Sequence, residues 1–160
     1  PEMSRGLGDV YKRQYQSFVI GDYMLTVIYP NRDSALTLTK DSSLINGDSS
    51  VMLLTKGKRQ LALFCGDCFE ENFSGLYFQY VEDNCLEKGV EVLKLSHHGR
   101  NDKGHIYYTE DFLKKISPRK TVITSDTGNI KKYSAEWKRI LTGTDTYVIE
   151  DKIMEIVIEE

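Results

Sequence analysis

Two short apolar runs break off abruptly into ligand-type residues, and that pattern constrains the fold more than anything else in the chain. The first run, 60–64, leads into Cys65-Gly66-Asp67. The second, 90–95, leads into Ser96-His97-His98-Gly99. Between them, 69–88 carries Phe73, Leu76, Tyr77, Tyr80 and Val81 at spacings of three and four, the apolar face of a helix. Strand, helix, strand is a βαβ unit with parallel strands and a right-handed crossover. Both strand ends then share the carboxyl edge of a sheet, where α/β proteins bind ligands. Neighbouring strands lie roughly 5 Å apart, so Asp67 and His97 can meet at one metal ion.

The remaining pattern extends this unit. A strand is expected at 23–29, stopped by Pro30, and a hairpin from 50–55 and 60–64 about Lys56-Gly57-Lys58. Residues 31–49 are polar, with turn signals at Asn31-Arg32-Asp33 and Asn46-Gly47-Asp48. Gly89 is the expected stop of the 69–88 helix. Thr109 caps a helix over 109–116, with Glu110 and Asp111 in its first turn and Pro118 at its end. A strand follows at 121–125, then a turn at Asp126-Thr127-Gly128-Asn129. Ser134 caps a short helix with Trp137, Ile140 and Leu141 on one face. A hairpin of 146–149 and 153–158 closes the chain. Residues 1–14 show no periodicity and resemble a translated sequencing adapter. They read as a non-native or disordered segment, which leaves 15–160 as the domain.

Composition narrows the class. A chain of 160 residues makes one domain with a real core. Lys plus Arg total 21 against 24 Asp plus Glu, a net charge of −3 that does not advertise a nucleic-acid binder. No apolar run approaches the ~20 residues of a membrane span. Three cysteines are an odd number, so a reducing compartment, the cytoplasm, is expected.

The chemistry sits at three successive strand ends: Asp67, His97 with His98, and Asp126. Carboxylate and imidazole suit zinc or a similar divalent ion. Gly66 and Gly99 let backbone pass close to it. Each residue has a plainer reading. The two histidines fit a metal-free loop pair, Asp67 a helix N-cap, and Asp126 with Asn129 ordinary turn chemistry. His105 fits a solvent-exposed loop. Cys65-Gly66-Asp67-Cys68 also matches a thiol redox CxxC, though without the usual preceding Trp.

In their order, Leu25-Thr26-Val27-Ile28-Tyr29-Pro30, Asn46-Gly47-Asp48-Ser49-Ser50-Val51-Met52-Leu53-Leu54, Gly66-Asp67, Leu93-Lys94-Leu95-Ser96-His97-His98-Gly99-Arg100, and Val122-Ile123-Thr124 with Asn129 resemble the C-terminal half of the metallo-β-lactamase fold. The likeness is greatest to its DNA-uptake competence (ComEC-like) type and covers about 23–158. It implies an α/β fold, half of an αββα sandwich with a mixed sheet flanked by helices, the N-terminal half missing. It implies a hydrolase in which a metal-bound hydroxide attacks an ester or phosphodiester of a small molecule or nucleic acid. Asp67, His97 and His98 become metal ligands, with Asp67 bridging two ions, expected to be zinc. Arg100, Asp126 and Asn129 fall on the substrate side. Arg100 departs from the small residue usual there. The first metal motif, His-x-His-x-Asp-His, is absent, so this chain is expected to be an inactive fragment of a parent open to membrane attachment. The alternatives are a non-catalytic binding domain of the same fold and a thiol redox protein.

Overall fold

The computed structural model describes residues 15–31, 49–100, 108–150 and 153–158. It is an α/β structure with one seven-stranded mixed sheet, its strands lying in sequence order. The strands are β1 (Gln16–Ile20), β2 (Tyr23–Tyr29), β3 (Val51–Lys56), β4 (Arg59–Phe64), β5 (Val90–Lys94), β6 (Pro118–Thr124) and β7 (Asp145–Ile149). The helices are α1 (Glu70–Asp83), α2 (Glu110–Ile116) and α3 (Thr127–Ile140). Strands β1 to β4 pair antiparallel, and β4 to β7 pair parallel, each of these last joined to the next through one helix. The expected βαβ unit is therefore present as adjacent β4 and β5.

Alternation decides which residues go inward. In β3, Val51, Leu53 and Thr55 are buried while Met52, Leu54 and Lys56 are half-buried. The inward set joins Phe73 and Tyr77 of α1, Phe112 and Ile116 of α2, and Trp137 of α3 in one core, so all three helices cover the same face. The opposite face carries Ala62, Val92 and Val122, packed by Ile156 and Ile158. Aromatic edges knit the helical layer, with Phe73 and Phe112 centroids 5.5 Å apart. Glu70 ties the helix starts together: its carboxylate accepts from Thr109 N–H at 2.5 Å and Thr109 Oγ1 at 2.9 Å.

Several boundaries differ from expectation. Helix α1 ends at Asp83, well before Gly89, because Asn84 Nδ2 donates back to the Tyr80 carbonyl at 2.8 Å and Cys85 takes a left-handed φ of 49°. Helix α3 begins at Thr127, not near Ser134, because Asp126 is its N-cap. Strand β6 begins at Pro118, and β1 was not foreseen. Among the described residues no hairpin closes the chain: β7 pairs with β6 alone, and 153–158 is irregular, with Lys120 Nζ donating to the Val157 carbonyl at 2.8 Å. The expectations for 1–14, most of 31–49 and His105 fall outside the described residues. Among the described residues no helix is long and apolar enough to cross a membrane.

Candidate functional site

Three loops leave the carboxyl ends of β4, β5 and β6 and are bonded to one another. His97 N–H donates to the Gly66 carbonyl at 3.1 Å, and Ser96 Oγ to the Cys68 carbonyl at 2.9 Å. The Asp67 and His97 segments therefore share one sheet edge, as adjacent parallel strands require. Asp67 is half-buried and is not the N-cap of α1, a position Phe69 takes.

His97, His98 and Gly99 form a tight left-handed turn, with φ of 45°, 57° and 76°. Two successive non-glycine residues in this region cost about 1–3 kcal/mol each. Two bonds close the turn, Gly99 N–H to Ser96 O at 2.8 Å and Arg100 N–H to His97 O at 3.2 Å. Gly99 has a packing reason to be glycine. A Cβ there would lie 3.0 Å from Ile123 Cγ2 and 3.1 Å from Trp137 Nε1. A Cβ on Gly66 would lie 3.0 Å from the Ser50 carbonyl oxygen. Both glycines thus admit neighbouring protein, where the sequence suggested room beside a metal. Trp137 Nε1 donates to the Gly99 carbonyl at 2.8 Å, pinning the turn to α3.

The turn presents both imidazoles, with ring centroids 6.1 Å apart. His98 Nδ1 lies 2.8 Å from the Thr124 carbonyl oxygen. A carbonyl only accepts, so Nδ1 donates here, and Nε2 is the ring nitrogen left to face a ligand. Metal-binding histidines use the same arrangement. Asp67, His97 and His98 are donors of the kind zinc takes, but they do not close a shell. Among the described residues no group of three or more His, Cys, Asp and Glu side chains is gathered to hold a metal ion.

Lys94 was not singled out in the sequence. It is half-buried at the end of β5, its Nζ donating to the Leu95 carbonyl at 2.7 Å. Burial pulls its pKa down, and the Asp67 carboxylate opposes that. The signal was a lysine closing the Val92-Leu93 run of β5 just before the ligand-type residues.

The cysteines are all free thiols, Cys65 and Cys68 buried and Cys85 exposed. Burial pushes Cys65 up to about 12, the reverse of the lowering a redox thiol needs. The Tyr108 hydroxyl is buried beside Cys65 and Ser96 without a partner in hydrogen-bonding geometry, and burial raises its pKa also.

Asp126 and Asn129 stand at the third strand end. Asn129 N–H donates to Asp126 Oδ1 at 3.0 Å, and Asn129 Nδ2 donates to Oδ2. The backbone N–H of Asn129, then that of Gly128, hold this carboxyl below its ordinary range. Its first role is thus helix capping. Together with His98, Arg100, Thr124, Ser125, Ile149 and Ile153, these two residues line a cleft of about 720 Å³. Compared with known proteins, the chain matches no family model, no curated protein and no solved structure.

Proposed function

We propose that this edge is part of a divalent-metal site, and that the chain is part of a metal-dependent hydrolase of the metallo-β-lactamase type, acting on an ester or phosphodiester. The observation that carries the reading is the His98 Nδ1–Thr124 bond, which orients a ligand-ready imidazole on the loop bonded to that of Asp67. His98 and Asp67 would hold the ion, with His97 beside them. A divalent ion supplies a water whose pKa falls to about 7. The chain's own residues orient the ligands, and the left-handed turn fixes the imidazoles. Further ligands of the His-x-His-x-Asp-His kind do not occur in the sequence, so hydrolysis requires donors from elsewhere.

Cobalt(II) titration followed by absorbance tests the reading. Saturable binding weakened about tenfold or more by His98→Ala and by Asp67→Ala is expected, since each removes one of few ligands. No saturable binding, or binding by both variants as tight as that of the unmodified chain, would overturn it. A metal-free binding domain is the second reading, favoured by the half-buried Lys94 at the end of β5, whose charge would stand in for an ion at this edge. On that reading Lys94→Met creates no stronger metal binding. On the hydrolase reading it removes a competing cation and tightens binding.

A further inference from the structure

Among the described residues, the cleft beside His98 contains two polar atoms without a hydrogen-bond partner. Ser125 has 9% of its surface exposed, and its Oγ is buried with no hydrogen-bond partner. Arg100 Nε is likewise buried and unpartnered. Among the described residues Arg100 has no carboxylate partner; its guanidinium lies over the Tyr133 ring, 5.9 Å from the centroid. Both residues line the same cleft. Leaving a buried donor unmade is costly, and leaving two in one cleft marks a place where a ligand completes the bonding.

We propose that Arg100 and Ser125 form an oxyanion-binding site in this cleft. A guanidinium offers a planar fork of donors that matches phosphate or carboxylate oxygens, and it binds best where a ring supports its face. The Ser125 hydroxyl supplies one more donor. It is held in position by its own backbone, whose N–H donates to the Ile149 carbonyl at 2.9 Å. Ile149, half-buried, and Ile153, fully exposed, add apolar surface to the lining, so the ligand carries an apolar or ring-bearing portion beside its anionic group.

Asp126 shares the lining and must be reconciled with an anion. Its carboxylate already accepts from Asn129 N–H and Asn129 Nδ2. The start of α3 is thus occupied by the protein's own carboxylate and contributes nothing to the ligand. Asp126 instead opposes the anion and weakens its binding. That opposition gives a test with a sign. Asn caps helices as well as Asp. Asp126→Asn therefore keeps α3 capped while removing the charge, and it tightens an anion but loosens a cation.

As a substrate anchor, the site rests on the hydrolase reading; as an anion site, it does not. The experiment is accordingly run on the full chain stripped of metal by chelation and then desalted. Inorganic phosphate, phenyl phosphate, acetate and benzoate are titrated and followed by amide and arginine side-chain NMR. Saturable binding by phosphates assigns a phosphate group, and preference for the carboxylates assigns that source; the ring-bearing member of each pair binds the tighter. Arg100→Ala weakens binding about tenfold or more, Arg100→Lys less, and Ser125→Ala a few-fold. Asp126→Asn strengthens it. Fluorescence of Trp137, the single tryptophan, checks that each variant retains its fold. The proposal fails if no anion binds saturably, if Arg100→Ala binds as the parent does, or if Asp126→Asn loosens binding. Failure here with cobalt binding intact leaves the metal site standing, and the reverse result leaves the anion site standing.

Discussion

Trp137→Phe isolates the bond that joins the histidine turn to the helical layer. The indole is 2% exposed, and its Nε1–H is the recorded partner of the Gly99 carbonyl. Phenylalanine keeps an aromatic ring but removes the donor, leaving a buried carbonyl unpaired at about 1–3 kcal/mol. Loss of the second ring leaves a partial cavity beside Ile123 and Gly99, worth about 1–2 kcal/mol. Together these make about 2–5 kcal/mol, against a typical domain stability of about 5–15 kcal/mol. With a urea dependence near 2 kcal/mol per molar, the midpoint falls by about 1–2.5 M. Far-UV circular dichroism in urea reads this without needing the tryptophan. Because the bond restrains Gly99, cobalt affinity also falls, although Trp137 touches no proposed ligand. A midpoint shift below about 0.3 M, corresponding to about 0.6 kcal/mol, would show that the bond does not hold the turn.

Other residues give further expectations. Tyr77 donates to Gln60 Oε1 at 2.7 Å in the core, so Tyr77→Phe costs about 1–3 kcal/mol in urea unfolding; a neutral result would mean that Gln60 finds another donor. Ellman's reagent is expected to titrate Cys85 quickly, and Cys65 and Cys68 only after unfolding; rapid reaction of all three in the native protein would contradict their burial. Cys65 holds its proton to about 12 when folded, against 9.0 ordinarily, so between these values the unfolded chain releases a proton the folded chain keeps. Stability is therefore full below pH 9 and falls as pH rises through that window, by up to about 1.4 kcal/mol per pH unit, and Cys65→Ala flattens the fall. Gly66→Ala, at a φ of 52° and against the Ser50 carbonyl, is expected to cost more than about 1 kcal/mol by the same urea assay.

What the sequence made legible was whatever short-range physics controls. Pro30 does stop β2, and Thr109 Oγ1 accepts from Phe112 N–H at 3.1 Å as an N-cap should. The βαβ logic was enough to bring the Asp67 and His97 segments together without any knowledge of side-chain packing. Asp126 misled because an Asp-Thr-Gly-Asn stretch is equally good turn chemistry; only the continued helix shows which use prevails. Strand β1 was hidden because all five of its residues are exposed and leave no alternation to read; pairing with β2 alone defines it. The left-handed turn, the partial burial of Lys94 and the unpartnered Arg100 Nε and Ser125 Oγ depend on neighbours distant in sequence. No local pattern announces them.

The two faces of the sheet explain why the cleft lies where it does. Helices bury one face, and on the other Ile156 and Ile158 cover Ala62, Val92 and Val122. The same segment brings Ile153 to the lining of the cleft. Each side of the edge is therefore fixed by a different layer. His98 is held by β6 through Thr124, and the turn by α3 through Trp137. Ile153 depends on a segment, 153–158, without ladder bonds, secured by the packing of Ile156 and Ile158 and by the Lys120–Val157 bond. For the proposed anion site, residues held by β6 and α3 beside an apolar lining secured by fewer bonds would accept anionic molecules of different apolar bulk.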